Sequence, residues 1–533
     1  MRAAFLAVAL TAAATALTAE SSAELLAALS SAPAAATVTV TRSITLDAPL
    51  VLASPVTLVG AAGAALLLDA RAGGSVVTVL GVRGVTLRGL RVAYVGDDAG
   101  GMPPRAAALT VFGSTDVVLN DLVVEGGVVV AGSTRVDVSW SDVSNAQGAA
   151  RGNCVYVTGC GNSSTLEPCG VVVHDNVIHD CRWAGGNTSV YSAAAQGVLV
   201  GAADGDEPAM TVNGGCTVGV IVRNNNLTRI DQMGIRVMND LACASVLNQV
   251  IYNRVEDWGQ LPRASGGDTT DSGCLYCYGH WHGPGNNFSA NACVATNASW
   301  GQNGLYLDDA ASGTTAIGNF FLNTSGGVVL KLNGGQHNTV HSSVAFGGGS
   351  FGFANCRALR PPANYMYYCA NPNTGAAWMR VLEANNYLSP PWSTTFPFLK
   401  GWCTNTTAGP DDALCAPPGS PEPGYECAAL SRGNTVSRFA GIAMKHRGLF
   451  AVPTAPGFPI LNWSSACPEY VVTEKFNNID FAAQFFYDDA DAIFMDVAAG
   501  DFTLRPDAQV FNDMPTFAHV DFRAIGVGGA TRL

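Results

Sequence analysis

Between Val38 and Val143 the chain alternates short apolar, β-branched runs with turns of Gly, Ala and Ser, as in Ile44-Thr-Leu46, Pro55-Val-Thr-Leu58, Val76-Val-Thr-Val79 and Val85-Thr-Leu87. Runs of strand length with no helical period between them predict an all-β domain. Further along, one motif returns: an apolar residue, Asn three positions later, and an apolar residue two beyond. Its copies are Val173/Asn176/Ile178, Val222/Asn225/Leu227, Val250/Asn253/Val255, Phe288/Asn291/Cys293 and Ala316/Asn319/Phe321. A motif repeating about once per solenoid turn predicts stacked coils, each adding short strands to the next at about 4.8 Å. Asn at a repeated turn suits left-handed backbone, and stacked Asn side chains can hydrogen-bond along a ladder. The expected fold is all-β, a right-handed parallel β-helix with at least seven coils between Val38 and Phe346. Asn176, Asn225, Asn253, Asn291 and Asn319 are expected in one line. A sandwich or a propeller leaves the recurring Asn unexplained.

A second strand in each coil starts with Gly: Gly197-Val-Leu-Val, Gly234-Ile-Arg-Val, Gly273-Cys-Leu-Tyr, Gly304-Leu-Tyr-Leu and Gly327-Val-Val-Leu. Alternation of period two puts Leu305 and Leu307 inside, with Tyr306 and Asp308 outside. The same register places Arg236 and Met238, then Val329 and Lys331, on that exterior face. Just beyond lie Asn239, Asp240, His280, His282 and Asp309. A line of charged and aromatic groups is therefore expected to cross successive coils at one strand end.

Adjacent carboxylates such as Asp308 and Asp309 push one pKa up, which suits a general acid. Lys331, one coil away, is placed to hold Asp308 ionised. Asn239, Asp240, His280 and His282 are candidate substrate ligands. Asp271 falls two residues before its strand Gly, where Gln232 and Gln302 stand in neighbouring coils. That position suits a polar turn ladder.

Other features set the compartment and the domain limits. Met1-Arg2, an apolar run from Ala3 to Leu17, and small residues at Ala14, Ala16 and Ala19 form a signal-peptide pattern, assigned to residues 1–19. Eight Asn-x-Ser/Thr sequons and 15 cysteines fit a glycosylated, oxidised, secreted chain. The β-helix is assigned to residues 20–350. Residues 351–533 read as a loop-rich, disulfide-tied C-terminal extension packing on the helix, with weak strand signals at Asn434 to Ala443 and Asp501 to Leu504. The run Cys274-x-x-Cys277-x-x-His280-x-His282 carries zinc-type ligands, but oxidising surroundings and the missing second Cys-x-x-Cys favour a reading without metal. No cofactor is expected. The net charge of −13 argues against a nucleic-acid partner. The chain is expected to be a monomer that does not span a membrane.

The stretches Asp271-Ser-Gly-Cys-Leu-Tyr, Gly304-Leu-Tyr-Leu-Asp-Asp-Ala-Ala-Ser-Gly, Gly318-Asn-Phe-Phe and Gly334-Gly-Gln-His-Asn resemble the core of carbohydrate-active β-helix proteins. They look most like glycoside hydrolase family 141, which includes fucosidases and xylanases. Gly500-Asp-Phe-Thr-Leu-Arg-Pro-Asp and Phe522-Arg-Ala-Ile-Gly resemble that group's closing segment. The resemblance covers roughly residues 170–345 and 498–527. It implies a glycosidase acting on cell-wall-type polysaccharide, so that the expected partner is a polysaccharide or other glycan, with Asp271 and one of Asp308/Asp309 as catalytic carboxylates and Tyr306 placed to stack on a sugar face. Three functional classes stand: a glycoside hydrolase; a polysaccharide lyase or epimerase, for which Lys331 and Arg236 are the exterior basic candidates; and a non-catalytic glycan-binding or cell-surface protein.

Overall fold

The computed structural model describes residues 17–96, 106–145, 152–182, 195–202, 215, 217–239, 244–260, 272–278, 284–296, 302–308, 311–324, 329–332, 337–347, 350–351, 392–395, 434–444, 446–447, 477–479, 484–517, 521–522 and 525–527. They form a right-handed parallel β-helix built on three long sheets of 14, 13 and 10 described strands. After the first strand of the first sheet, which pairs with the next strand in the chain, each strand's neighbour lies three strands further along, so each coil gives one strand to each sheet. The first sheet begins with Leu17–Ala19 and Ala36–Val40, the second with Ile44–Leu46 and the third with Leu50–Leu52. Eleven coils lie between Ala36 and Phe346 in the first and second sheets, more than the repeat spacing requires.

Period-two alternation decides which side chains enter the core. In the first sheet Val38, Leu58, Leu87, Leu119, Val138 and Val173 stack in register and are at most 1 % exposed. Burying each such side chain contributes about 1.5–3 kcal/mol before conformational entropy is set against it. The column repeats coil after coil, so the helix has one continuous apolar core.

Asn176, Asn225, Asn253, Asn291 and Asn319 do form one line. The Nδ2 of each donates to the Oδ1 of the next at 3.0, 2.9, 3.1 and 3.1 Å. The same oxygens also accept the preceding Asn's backbone N–H, at 3.1, 3.1, 3.0 and 3.0 Å. The expected backbone role of these residues is corrected. The left-handed conformation belongs to the residue before each Asn, namely Asp175, Asn224, Tyr252, Ala290 and Gly318, with φ of 54–66°. The Asn is selected for its amide, which satisfies main-chain groups buried at the corner. A second ladder, at the corner leading into the first sheet, was not anticipated. There Asn248 and Asn286 are linked at 3.0 Å, and the backbone N–H of Thr314 donates to Asn338.

Three disulfides join six of the seven described cysteines: Cys154–Cys181, Cys160–Cys169 and Cys274–Cys293. All four of the cysteines in the first and third belong to the core; Cys274–Cys293 joins strands of the third and second sheets, and Cys154, just before the third-sheet strand Val155–Thr158, is joined to Cys181 of the second. For a 27-residue separation, the chain-entropy model puts such a link at about 3–4 kcal/mol. Cys277 is a buried thiol, pushed up to about 12 chiefly by burial. With Cys274 bonded to Cys293, the run Cys274-x-x-Cys277 cannot act as a paired metal-ligand motif. The cysteines expected to tie residues 351–533 lie outside the described residues.

Past residue 350 the coils continue. Asn434–Ser437 pairs with Thr339–His341 and Phe439–Ile442 with Val344–Phe346; Asn477–Ile479 and Gln484–Tyr487 add a further coil. The chain then turns back along the outside of the second sheet. Phe494, Leu504, Val510, Phe517, Phe522 and Ile525 form an apolar cluster with Ala292, Phe320, Val344 and Ala440. This strap reaches Tyr252, whose carbonyl accepts from Gly526 N, and Asn226, whose Oδ1 accepts from Val527 N at 3.1 Å. Among the described residues no helix is long and apolar enough to cross a membrane.

Candidate functional site

The third sheet carries the chemistry on its outward face. Its inward residues, such as Leu275, Cys277, Leu305 and Leu307, belong to the core. Its outward residues in successive coils form two columns. One runs Val129, Tyr156, Leu199, Arg236, Tyr276, Tyr306 and Lys331; the other ends in Met238, Tyr278 and Asp308. The face changes character along the helix axis. From Val129 to Leu199 it is an apolar cluster. From Arg236 onward each coil adds a charged or phenolic group.

These groups touch one another. The Arg236 guanidinium lies 5.1 Å from the Tyr276 ring centroid and 5.4 Å from that of Tyr278. The two tyrosine rings are stacked at 6.4 Å, and Tyr276 meets Tyr306 edge-on at 4.8 Å. Lys331 Nζ sits 3.9 Å above the Tyr306 ring. Such cation–ring contacts strengthen when water is excluded. Tyr276 donates its phenolic hydrogen to Asp308 Oδ2 at 2.5 Å, a charge-assisted hydrogen bond. Arg236, Tyr276, Tyr306, Lys331 and Asp308 are each less than a tenth exposed.

Alternation places Leu305, Leu307, Tyr306 and Asp308 as the sequence predicts. Tyr306 and Asp308 point outward but are buried, at 1 % and 6 % exposure. The register of two neighbouring strands is corrected. Leu305 pairs with Leu330, so Lys331 stands opposite Tyr306 and not Asp308. Leu275 pairs with Leu305, so Cys274, not Gly273, takes the place of Gly304. Ser272 therefore occupies the Gln302 position assigned to Asp271.

The glycines that do hold that place, Gly197, Gly234 and Gly304, allow a close approach. A Cβ on any of them would come within 2.4–2.5 Å of a carbonyl oxygen in the next coil. Asn239 is fully buried and clamps main chain, donating to Tyr278 O at 2.7 Å and accepting from Ser245 N at 2.6 Å. It is not the exposed ligand the sequence suggested. Asp240, Asp271, His280, His282 and Asp309 lie outside the described residues. The sequence reading missed Tyr276 and Tyr278. Their signal is the alternation Tyr-Cys-Tyr in Ser272–Tyr278, which the one-residue register error had turned inward.

No protein-family model matches the chain, and no curated protein matches it. Among solved structures, the Dettilon tailspike protein is 12 % identical with a TM-score of 0.40; the match covers 63 % of this chain and 62 % of that one. A PL6 family polysaccharide lyase from Pseudopedobacter saltans is 12 % identical with a TM-score of 0.36, covering 89 % and 92 %. A family 28 exopolygalacturonase from Yersinia enterocolitica is 10 % identical with a TM-score of 0.34, covering 64 % and 73 %. Likenesses of this degree carry no argument about activity, and none of these findings supports glycoside hydrolase family 141 in particular.

Proposed function

We propose that this chain is a secreted carbohydrate-active enzyme working at the outward face of the third sheet, and that it hydrolyses glycosidic bonds with Asp308 as the central carboxylate. The supporting observation is the Tyr276–Asp308 hydrogen bond, set where an apolar face turns into a row of cations and phenols. A structural cover for the sheet would have no need to change character there. Hydrolysis requires one carboxylic acid to protonate the leaving oxygen and a second carboxylate to activate water or attack the sugar. Tyr276 fixes the orientation of Asp308, and Asp309 follows it in sequence as the candidate partner. Asp271 is the further candidate implied by the family resemblance.

A second reading is β-elimination on a uronate polymer. It is favoured by Arg236 and Lys331 flanking the tyrosines, since such a lyase needs positive charge on the substrate carboxylate and a base for the adjacent proton. A panel of neutral and uronate-containing plant and algal polysaccharides separates the two. Hydrolysis releases new reducing ends alone, whereas elimination also gives unsaturated, ultraviolet-absorbing ends. Asp308→Asn should lower turnover about 100-fold or more while the chain keeps a cooperative melting transition, with a stability loss no larger than that of removing the Tyr276 hydroxyl. Wild-type turnover in that variant would remove Asp308 from the mechanism.

A further inference from the structure

The leader pattern offers three cleavage positions, after Ala14, Ala16 or Ala19. Cleavage favours small residues at the first and third positions before the cut. Ala16 has Ala14 at the third position, and Ala14 has Ala12. Ala19 has Leu17 there, which breaks the pattern.

The fold bears on the same choice. Leu17–Ala19 is the outermost strand of the first sheet, paired residue for residue with Val38, Thr39 and Val40. Ala19 is fully buried, Leu17 packs on the core, and Thr18 faces out, so this strand obeys the alternation of the coils that follow. The Ala19 carbonyl accepts from Thr41 N at 3.1 Å, and that of Glu20 from Arg42 Nε at 2.9 Å.

The next residues start the helix Ser22–Ser31, which places Leu25 and Ala28 on the end of the core. Ser21 caps that helix by accepting from Glu24 N, and Glu24 Oε2 accepts from Glu20 N at 2.8 Å. The two bonds resemble a capping box, with Glu24 reaching back to the main chain at Glu20, one residue before the cap. Strand, cap and helix thus form one unit closing the N-terminal end of the β-helix. A cut after Ala19 removes the strand, bares the edge of Ala36–Val40 and turns the Glu20 amide into a charged amine. Open strand edges of this kind invite pairing with other chains.

We propose that the secretory leader is residues 1–16 and that the Ala16–Leu17 peptide bond is the processing site, so that the mature chain begins at the first residue of the first strand. The proposal rests on the reading that the chain is secreted. A signal peptidase of the secretory route supplies the catalysis. One water is consumed: its oxygen becomes part of the new Ala16 carboxylate, the C–N bond breaks, and Leu17 keeps the nitrogen as its α-ammonium group. Cutting here retains every contact described for residues 17–31.

The test is N-terminal sequencing of the full chain expressed with its own leader in a secreting host. Leu17 is the expected first residue. A mature chain starting at Glu20 or Thr15 overturns the proposal while leaving secretion standing. A chain retained in cells with residues 1–16 intact overturns both. Ala16→Leu should suppress the Leu17 terminus in favour of uncut or misplaced products, and unchanged processing at Leu17 counts against the site. Behind a foreign leader, a chain starting at Leu17 should melt with the native mature protein, and one starting at Glu20 several degrees lower. Equal melting of the two would remove the structural argument.

Discussion

The corner between the first and second sheets and the approaches to the third sheet are built on opposite plans. At the corner, every coil from His174 to Ala292 turns in two residues: Asp175-Asn176, Asn224-Asn225, Tyr252-Asn253 and Ala290-Asn291. One residue is left-handed, and the next places its amide in the ladder. An insertion there would break a continuous chain of hydrogen bonds, so the corner stays uniform. Between the second and third sheets, the chain instead spends residues 182–197 in one coil and 257–271 in another. The third-sheet strand Ile235–Met238, which lies between these long connections, carries Arg236, and the two third-sheet strands that follow the second, Ser272–Tyr278 and Gln302–Asp308, carry Tyr276 and Asp308. The difference teaches that the scaffold is fixed by one repeated corner, which leaves the opposite side free to vary and to carry chemistry.

If that division holds, the largest stability effect belongs to the corner. Asn253 accepts from Asn225 N and Nδ2 and donates to Val222 O on the side of the preceding coil, and donates to Asn291 Oδ1 on the side of the next. Asn253→Ala orphans the buried Asn225 N–H at about 1–3 kcal/mol, while Asn225 Nδ2 keeps Val173 O and Arg223 O. It also removes the amide's bonds to Asn225 Nδ2, Val222 O and Asn291 Oδ1 at about 0.5–1.5 kcal/mol each, a loss of about 3–7 kcal/mol in all. A denaturant midpoint measures it, and turnover per folded molecule should be unchanged. A loss within experimental error would mean that apolar stacking alone holds the corner.

The converse substitution belongs to the third sheet. Tyr276→Phe keeps the ring against Arg236 and Tyr306 but removes the donor to Asp308. Stability should fall by about 1.5–3 kcal/mol, the range for a hydrogen bond to a charged group. Turnover should fall about 10- to 100-fold, with an altered pH profile, because Asp308 loses the group that orients it. Unchanged turnover with a full stability loss would place this row in the scaffold and erase the contrast with the corner.

The same contrast explains what could be read in the sequence. The Asn line was legible because its flanking apolar residues keep fixed offsets, and a two-residue turn transmits them without error. Third-sheet register was not. Gly273 and Gly327 imitate the strand-initial glycines Gly234 and Gly304, yet the strands are set one and two residues away from that alignment. Connections of unequal length erase the spacing that would have shown it. Those slips hid Tyr276 and set Lys331 opposite the wrong residue. The mixed Asn and Thr ladder into the first sheet also escaped notice, because Asn248, Asn286, Thr314 and Asn338 share a position but not a residue type. The return of the coils at Asn434–Ile442 was visible only as a weak strand signal, since its partner residues lie 96 positions earlier.

The smallest expected effect concerns how neighbouring coils are tied on the surface beside the corner. His179 Nε2 faces Asp142 Oδ1 of the preceding coil at 2.8 Å, and its Nδ1 faces Asp180 Oδ2 at 2.7 Å. Two carboxylate acceptors are both satisfied only when both ring nitrogens carry hydrogen, that is, by the imidazolium. The hydrogen bond to Asp142, followed by that to Asp180, raises the His179 pKa above its ordinary value against the cost of burial. Arg229 donates to both Asp180 oxygens and holds that carboxyl well below the usual range, so Asp180 stays ionised near neutrality. A raised folded-state pKa contributes stability that is complete below the unfolded value of about 6.5. That stability is lost as pH rises through the higher folded value. Since the pair is partly exposed, the gain is at most about 1 kcal/mol and weakens with salt. Melting temperature should therefore fall slightly between about pH 5.5 and 8.5 at low salt, and less so in His179→Gln. If the variant shows the same slope as the wild-type chain, the pH response arises elsewhere, and this tie between coils contributes only its packing.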